Sequence, residues 1–114
     1  MEENKIKIPM LGSKAPRFNA NSTFGPLKLT DFIGKWLVLF CHPSDFTPIC
    51  TTEIISFAKL NDEFSRRNCS LLGLSVDSNP SHIAWIKDIE KNTGTSIPFP
   101  IISDTNKEIA NQYG

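Results

Sequence analysis

The sequence predicts one α/β domain built around a parallel βαβ unit. Three observations carry this. Two continuous apolar runs, "WLVLFC" at residues 36–41 and "LLGLSV" at residues 71–76, are each bounded by turn residues, as strands buried on both faces are. Between them the pattern turns helical, with Ile54, Phe57, Ala58 and Phe64 on one stripe and Lys59, Asp62, Glu63 and Arg66 outside it. A second helical pattern follows the second run. Strands and helices in this order imply parallel strands joined by a right-handed crossover.

The remaining elements follow in chain order. Residues 1–15 read as a loose arm. "APRFNANSTFGPLKL" alternates short apolar pieces with turn residues and reads as a small hairpin, and "LTDFIGK" as a turn closed by Gly34. The first helix is expected from about Pro48 to Arg67. "DSNP" opens the second, with Asn79 as N-cap and Pro80 at the first helical position. Its apolar face is Ile83, Trp85, Ile86 and Ile89, and Gly94 ends it. The prolines of "IPFPII" favour an edge strand or a connector over a central strand. "DTNKEIANQYG" reads as a helix capped near Asp104 or Thr105.

Composition narrows the classes of function. The 114 residues suit a single domain, residues 1–114, and 39% hydrophobic with 21% charged residues suits a packed core. Lys+Arg and Asp+Glu both number 12, so nothing favours nucleic acid or an anionic membrane as partner. No apolar run approaches the roughly 18 residues of a spanning helix. "MEENKIKIPMLG" lacks the apolar core of a signal peptide, so a cytoplasmic location is expected. Three cysteines make an odd count without the spacing of a disulfide framework.

Chemistry concentrates in "FCHPSDFTPIC", residues 40–50, at the carboxyl end of the first apolar run, where open α/β sheets place their sites. A helix starting at Pro48 makes Thr47 its N-cap and Cys50 its third residue, N3. A threonine N-cap hydroxyl commonly meets the N3 backbone N–H, which brings Thr47 near Cys50. First-turn N–H groups and the positive end of the helix dipole favour a thiolate there. The alternative is that Cys50 is a small buried hydrophobe. Pro43 and Pro48 also suit any strand-to-helix loop, and Asp45 an Asx-turn. The lack of C-x-x-C disfavours a dithiol oxidoreductase. Cys41, His42, Cys50 and His82 lack metal-ligand spacing, so no metal is expected. Cys41 and Cys69 read as filler, with a resolving role for Cys69 the weaker alternative, Asp77 as a turn residue, and His82 and Trp85 as packing against the sheet or an oligomer contact rather than ligands. Trp36 reads as a core residue or one facing a dimer partner.

"HPSDFTPICTTE" resembles the peroxidatic loop of the peroxiredoxins, whose pattern P-x-x-x-T-x-x-C is met by Pro43, Thr47 and Cys50. His42 and "DFTPICTTE" are similar to the one-cysteine branch of that family, the alkyl hydroperoxide reductase/thiol-specific antioxidant family. "LLGLSVDS", "SHIAWIKDIE" and "IPFPIISD" resemble the segments that follow, so the likeness covers nearly the whole chain. The resemblance implies a thioredoxin-like fold and a thiol peroxidase acting on hydrogen peroxide and organic hydroperoxides. It implies that Cys50 attacks the peroxide and becomes a sulfenic acid. Thr47 would orient the peroxide, Pro43 would wall the pocket, His42 would line its entrance, and Glu53 would anchor a distant arginine. The first-turn N–H groups would stabilise the anionic transition state. The implied partners are a hydroperoxide substrate, a thiol reductant such as thioredoxin or glutathione, and further copies in a homodimer or larger assembly. No cofactor is implied.

The family's pocket arginine comes from a strand downstream of Gly114, and Arg17, Arg66 and Arg67 do not match it. The chain is therefore expected to be a truncated member without the closing hairpin and last helix. The other reading is a non-catalytic fragment that binds a partner or senses peroxide.

Overall fold

A computed structural model describes residues 8–114; the first half of the proposed N-terminal arm, residues 1–7, lies outside them. The expected hairpin forms from β1 (Asn19–Ser22) and β2 (Leu27–Lys28), paired antiparallel. A 3₁₀ turn over Leu29–Phe32 follows, and Gly34 at φ 90° turns the chain into β3 (Trp36–Cys41). β3 leads through a loop to α1 (Pro48–Lys59), α2 (Asn61–Arg66) and β4 (Cys69–Ser75). Then come α3 (Asn79–Thr93), β5 (Ile101–Ser103) and α4 (Glu108–Gln112).

The strands form one five-stranded sheet in the order β2-β1-β5-β4-β3. β3 and β5 both run parallel to β4, and β1 is antiparallel to β5. Two successive right-handed crossovers in one direction across a sheet put their helices on the same face. Accordingly Cys50 and Ile54 of α1 and Trp85 and Ile89 of α3 share a core with Leu71, Ile97, Phe99 and Ile101. The opposite face packs Leu72, Leu74 and Ile102 against Phe18 and Ile109. Fully burying one such aliphatic side chain contributes roughly 1.5–3 kcal/mol, so the alternation along β4 and β5 fixes their register. A Cβ at Gly73 would lie in ordinary van der Waals contact, 3.4 Å from both Phe40 and Ile101.

Five local expectations need correction. β3 is apolar on both faces, with Val38 and Phe40 on one core and Leu37 and Leu39 on the other. However, among the described residues it pairs only with β4, so it is half-buried rather than buried, and Trp36 at its start is exposed. The long helix breaks at Leu60 (φ −93°, ψ 0°), which lets both Phe57 and Phe64 reach the core. The N-cap of α3 is Ser78, whose Oγ accepts from Ser81 N at 3.3 Å; Asn79 and Pro80 are inside the helix. β5 is central. Pro98 and Pro100 precede the strand, and Pro100 contributes only its carbonyl, which accepts from Gly73 N at 3.0 Å, so no missing N–H interrupts the pairing of Ile101–Ser103 on both sides. α4 starts later than expected, at Glu108 with Lys107 in the N-cap position, although the Asp104 carboxylate still accepts from Ile109 N and Ala110 N at 3.0 and 2.9 Å. Gly94, at φ 72°, ends α3 as expected.

Candidate active site

β3 extends one hydrogen bond beyond its last residue, from His42 N to Leu74 O at 3.0 Å, and the chain then leaves the sheet. Phe46 at φ 64° takes a left-handed conformation that a bulky residue rarely adopts. Thr47 (φ −90°, ψ 146°) is the N-cap of α1, Pro48 is its first residue, and Cys50 is at N3, as the spacing predicts. The Thr47 hydroxyl departs from expectation. It donates to Ser44 O at 3.2 Å and makes no cap to the helix. The first-turn N–H groups of Ile49 and Cys50 thus have neither an intrahelical carbonyl nor this side chain as partner. Cys50 is 5% exposed and packs among the apolar residues of the helical face.

The other residues implied at the site lie on the loop and on the first turns of α1. Pro43 is exposed at the start of the loop. Glu53 is exposed beside Pro48, Ile49 and Thr52, around a shallow depression of about 270 Å³, and among the described residues it has no ion pair. Arg66 and Arg67 both bond to Glu63, the latter at 2.9 Å, and Arg17 borders a cavity with Phe18 and Ile109 on the opposite face. None of these arginines reaches the loop.

His42 is buried, its Nε2 lies 2.7 Å from Asp45 Oδ1, and its Nδ1 has no hydrogen-bond partner among the described residues. Asp45 organises a network, beyond the Asx-turn role its place in the loop suggests. Its Oδ2 lies 2.7 Å from His82 Nδ1 and accepts from Ser81 Oγ at 2.9 Å. Its backbone N–H donates to Asp77 Oδ2 at 2.7 Å, and Asp77 also accepts from Ser75 Oγ. His82 Nε2 faces Ile102 O at 3.0 Å. Burial alone would raise the Asp45 carboxyl. The bonds from His42 and His82, the charge of His82 and the bond from Ser81 outweigh it and hold that carboxyl well below the usual range.

His42, Asp45, Asp77 and His82 bring one ligand atom each to within 4.8 Å of one another. Each Asp45 oxygen is 2.7 Å from a ring nitrogen, shorter than the roughly 3.3 Å between ligands on a tetrahedral zinc. The set is hydrogen-bonded internally at spacings shorter than those of a tetrahedral zinc site.

The other cysteines lie apart. Cys41 is exposed at the end of β3 rather than filling the core, and the burial around its sulfur, ahead of the Asp104 carboxylate, pushes its thiol up. Cys69 pairs with Trp36 at the far end of the strands, about 17 Å of strand from the loop.

A family model described as the AhpC/TSA family matches residues 11–114. Peroxiredoxin 2 of Caldanaerobacter subterraneus subsp. tengcongensis is 58% identical over 110 residues, covering 96% of this chain and 50% of that protein. A peroxiredoxin of Aquifex aeolicus is 57% identical with the same coverage. Among solved structures, a yeast mitochondrial 1-Cys peroxiredoxin superposes with a TM-score of 0.87 at 46% identity, over 93% of this chain and 51% of that one. The peroxiredoxin 6 of Arenicola marina gives 0.83 at 41% identity, over 90% and 48%. The fold is therefore the thioredoxin-like fold of the peroxiredoxins. The chain belongs to the AhpC/TSA family. It spans about half the length of the curated relatives it matches.

Proposed function

We propose that Cys50 is the peroxidatic nucleophile of a thiol peroxidase. The observation that carries this is its place at N3 of α1, immediately beyond the carboxyl end of β3, with first-turn N–H groups unclaimed by Thr47. The thiolate attacks the terminal oxygen of a hydroperoxide, and the O–O bond breaks. The sulfur is oxidised to a sulfenic acid, and the leaving oxygen takes a proton to become water or an alcohol. A thiol reductant of the thioredoxin or glutathione kind then returns the sulfur to its starting state. Membership of the family supports hydrogen peroxide and organic hydroperoxides as substrates. The setting proposed is cytoplasmic, and the exposed Trp36 on β3 supports a homodimer or larger assembly. Thr47 and Pro43 remain the proposed residues for orienting peroxide and shaping its pocket. Glu53 remains the proposed anchor for an arginine.

The second reading, a module that senses peroxide or binds a partner without turnover, is favoured by the distance of all three arginines from the loop. Mapping the peroxide-treated chain by mass spectrometry with a sulfenic-acid trap tests the assignment of the nucleophile. The trap is expected on Cys50 and not on Cys41 or Cys69. No Cys50–Cys69 disulfide is expected, because a disulfide needs Cα atoms within about 7 Å. A trap found mainly on Cys41 or Cys69 would overturn the assignment.

A further inference from the structure

Helix α3 grips the Cys50 turn on both sides. In its first turn, Ser81 Oγ and His82 Nδ1 meet Asp45 Oδ2 at 2.9 and 2.7 Å. One turn further on, Trp85 Nε1 donates to Thr51 Oγ1 at 3.0 Å. Asp45 precedes Cys50 in the chain, and Thr51 is the next residue after it. The gripping side chains are themselves fixed. His82 is fully buried and bonded to Ile102 O of β5, and Trp85 is 1% exposed within the core that contains Cys50.

We propose that Ser81, His82 and Trp85 are positioning residues that set the orientation of the Cys50 turn, with the Trp85–Thr51 bond as the contact nearest the sulfur. This rests on Cys50 being the peroxidatic nucleophile. The local chain does not secure the turn by itself. Thr47 gives α1 no side-chain cap, and Phe46 in the loop has an unfavourable left-handed backbone. The fixed points come instead from a helix more than thirty residues away in sequence. Attack on a peroxide needs the sulfur aligned with the O–O bond, and a displacement near 1 Å can cost about a hundredfold in rate. A bond from a buried indole to the residue beside the nucleophile is well placed to prevent such a displacement.

The test is the second-order rate of Cys50 oxidation by hydrogen peroxide in the full 114-residue chain, followed by stopped flow with peptide mapping. Thr51→Val removes the acceptor and keeps the shape. Thr51→Ser keeps the acceptor, and Trp85→Phe removes only the N–H donor and one ring. Melting temperatures confirm that each variant is folded at the assay temperature. Thr51→Val and Trp85→Phe are each expected to slow oxidation roughly tenfold, with the double variant no slower than either single one. Thr51→Ser is expected to restore the parent rate. A merely structural bond would lower the melting temperature and leave the rate of the folded protein unchanged. A fast parent whose Thr51→Val and Trp85→Phe variants are equally fast overturns the clamp alone. A parent no faster than a free thiol overturns the peroxidase reading, and the clamp with it.

Discussion

Replacing Cys50 by serine is expected to abolish peroxide consumption by the chain while leaving the fold in place. Serine is close in volume to cysteine, and the N3 position asks nothing of its side chain for helix formation. The hydroxyl does not form an anion at neutral pH and does not accept an oxygen atom to give a sulfenic acid, so the redox step is lost outright. The matching Cys41→Ser and Cys69→Ser variants are expected to keep the parent rate. Cys41 has a thiol pushed up by burial and Asp104, and Cys69 is at the opposite end of the sheet. The cost of Cys50→Ser to stability is one polar group in a mostly apolar site, about 1–3 kcal/mol. Peroxide consumption by the serine variant at the parent rate would remove Cys50 from the mechanism.

Replacing Asp45 by alanine is expected to have the largest effect on stability. Asp45 is buried and joins four partners: His42, Ser81, His82 and, through its backbone, Asp77. Its removal leaves His42 Nε2 and His82 Nδ1 buried without the carboxylate that accepts from them, while His82 Nε2 keeps Ile102 O, and breaking a buried charge pair from one side costs about 3–5 kcal/mol. Denaturant unfolding measures this directly. The sign of the pH dependence follows from the depressed carboxyl. Its contribution is complete above the unfolded value of about 3.9 and is lost as pH falls toward the lower folded value. The stability gap between parent and variant is therefore expected to be constant near neutral pH and to shrink in strong acid. A gap that stayed constant down to pH 2 would contradict the ionised, doubly bonded Asp45.

The residues that made the fold legible are those whose signal is local. "WLVLFC" and "LLGLSV" are apolar on both faces because each lies between two packed layers. Thr47 followed by Pro48 marks the start of α1, and Gly94 the end of α3. β5 was obscured because its prolines lie just before a three-residue strand, close enough to mask it. The site was legible only in part for the same reason. The place of Cys50 in its helix is fixed within four residues. The partners of Asp45, by contrast, are up to 37 positions away and meet it only when β4 and α3 close over the loop. The Thr47 hydroxyl had two nearby acceptors or donors to choose from, and the turn at Ser44 won. Ser81, His82 and Trp85 give a sequence signal, a polar pair one turn before a tryptophan, but it reads equally well as packing.

The most direct measurement of the central claim is the rate at which hydrogen peroxide oxidises Cys50 in this chain, compared with a free cysteine under the same conditions. Oxidation faster than the free thiol by two or more orders of magnitude is the expected result. A rate equal to that of the free thiol would show that the Cys50 turn confers no peroxidatic reactivity, and would leave the non-catalytic module as the surviving account.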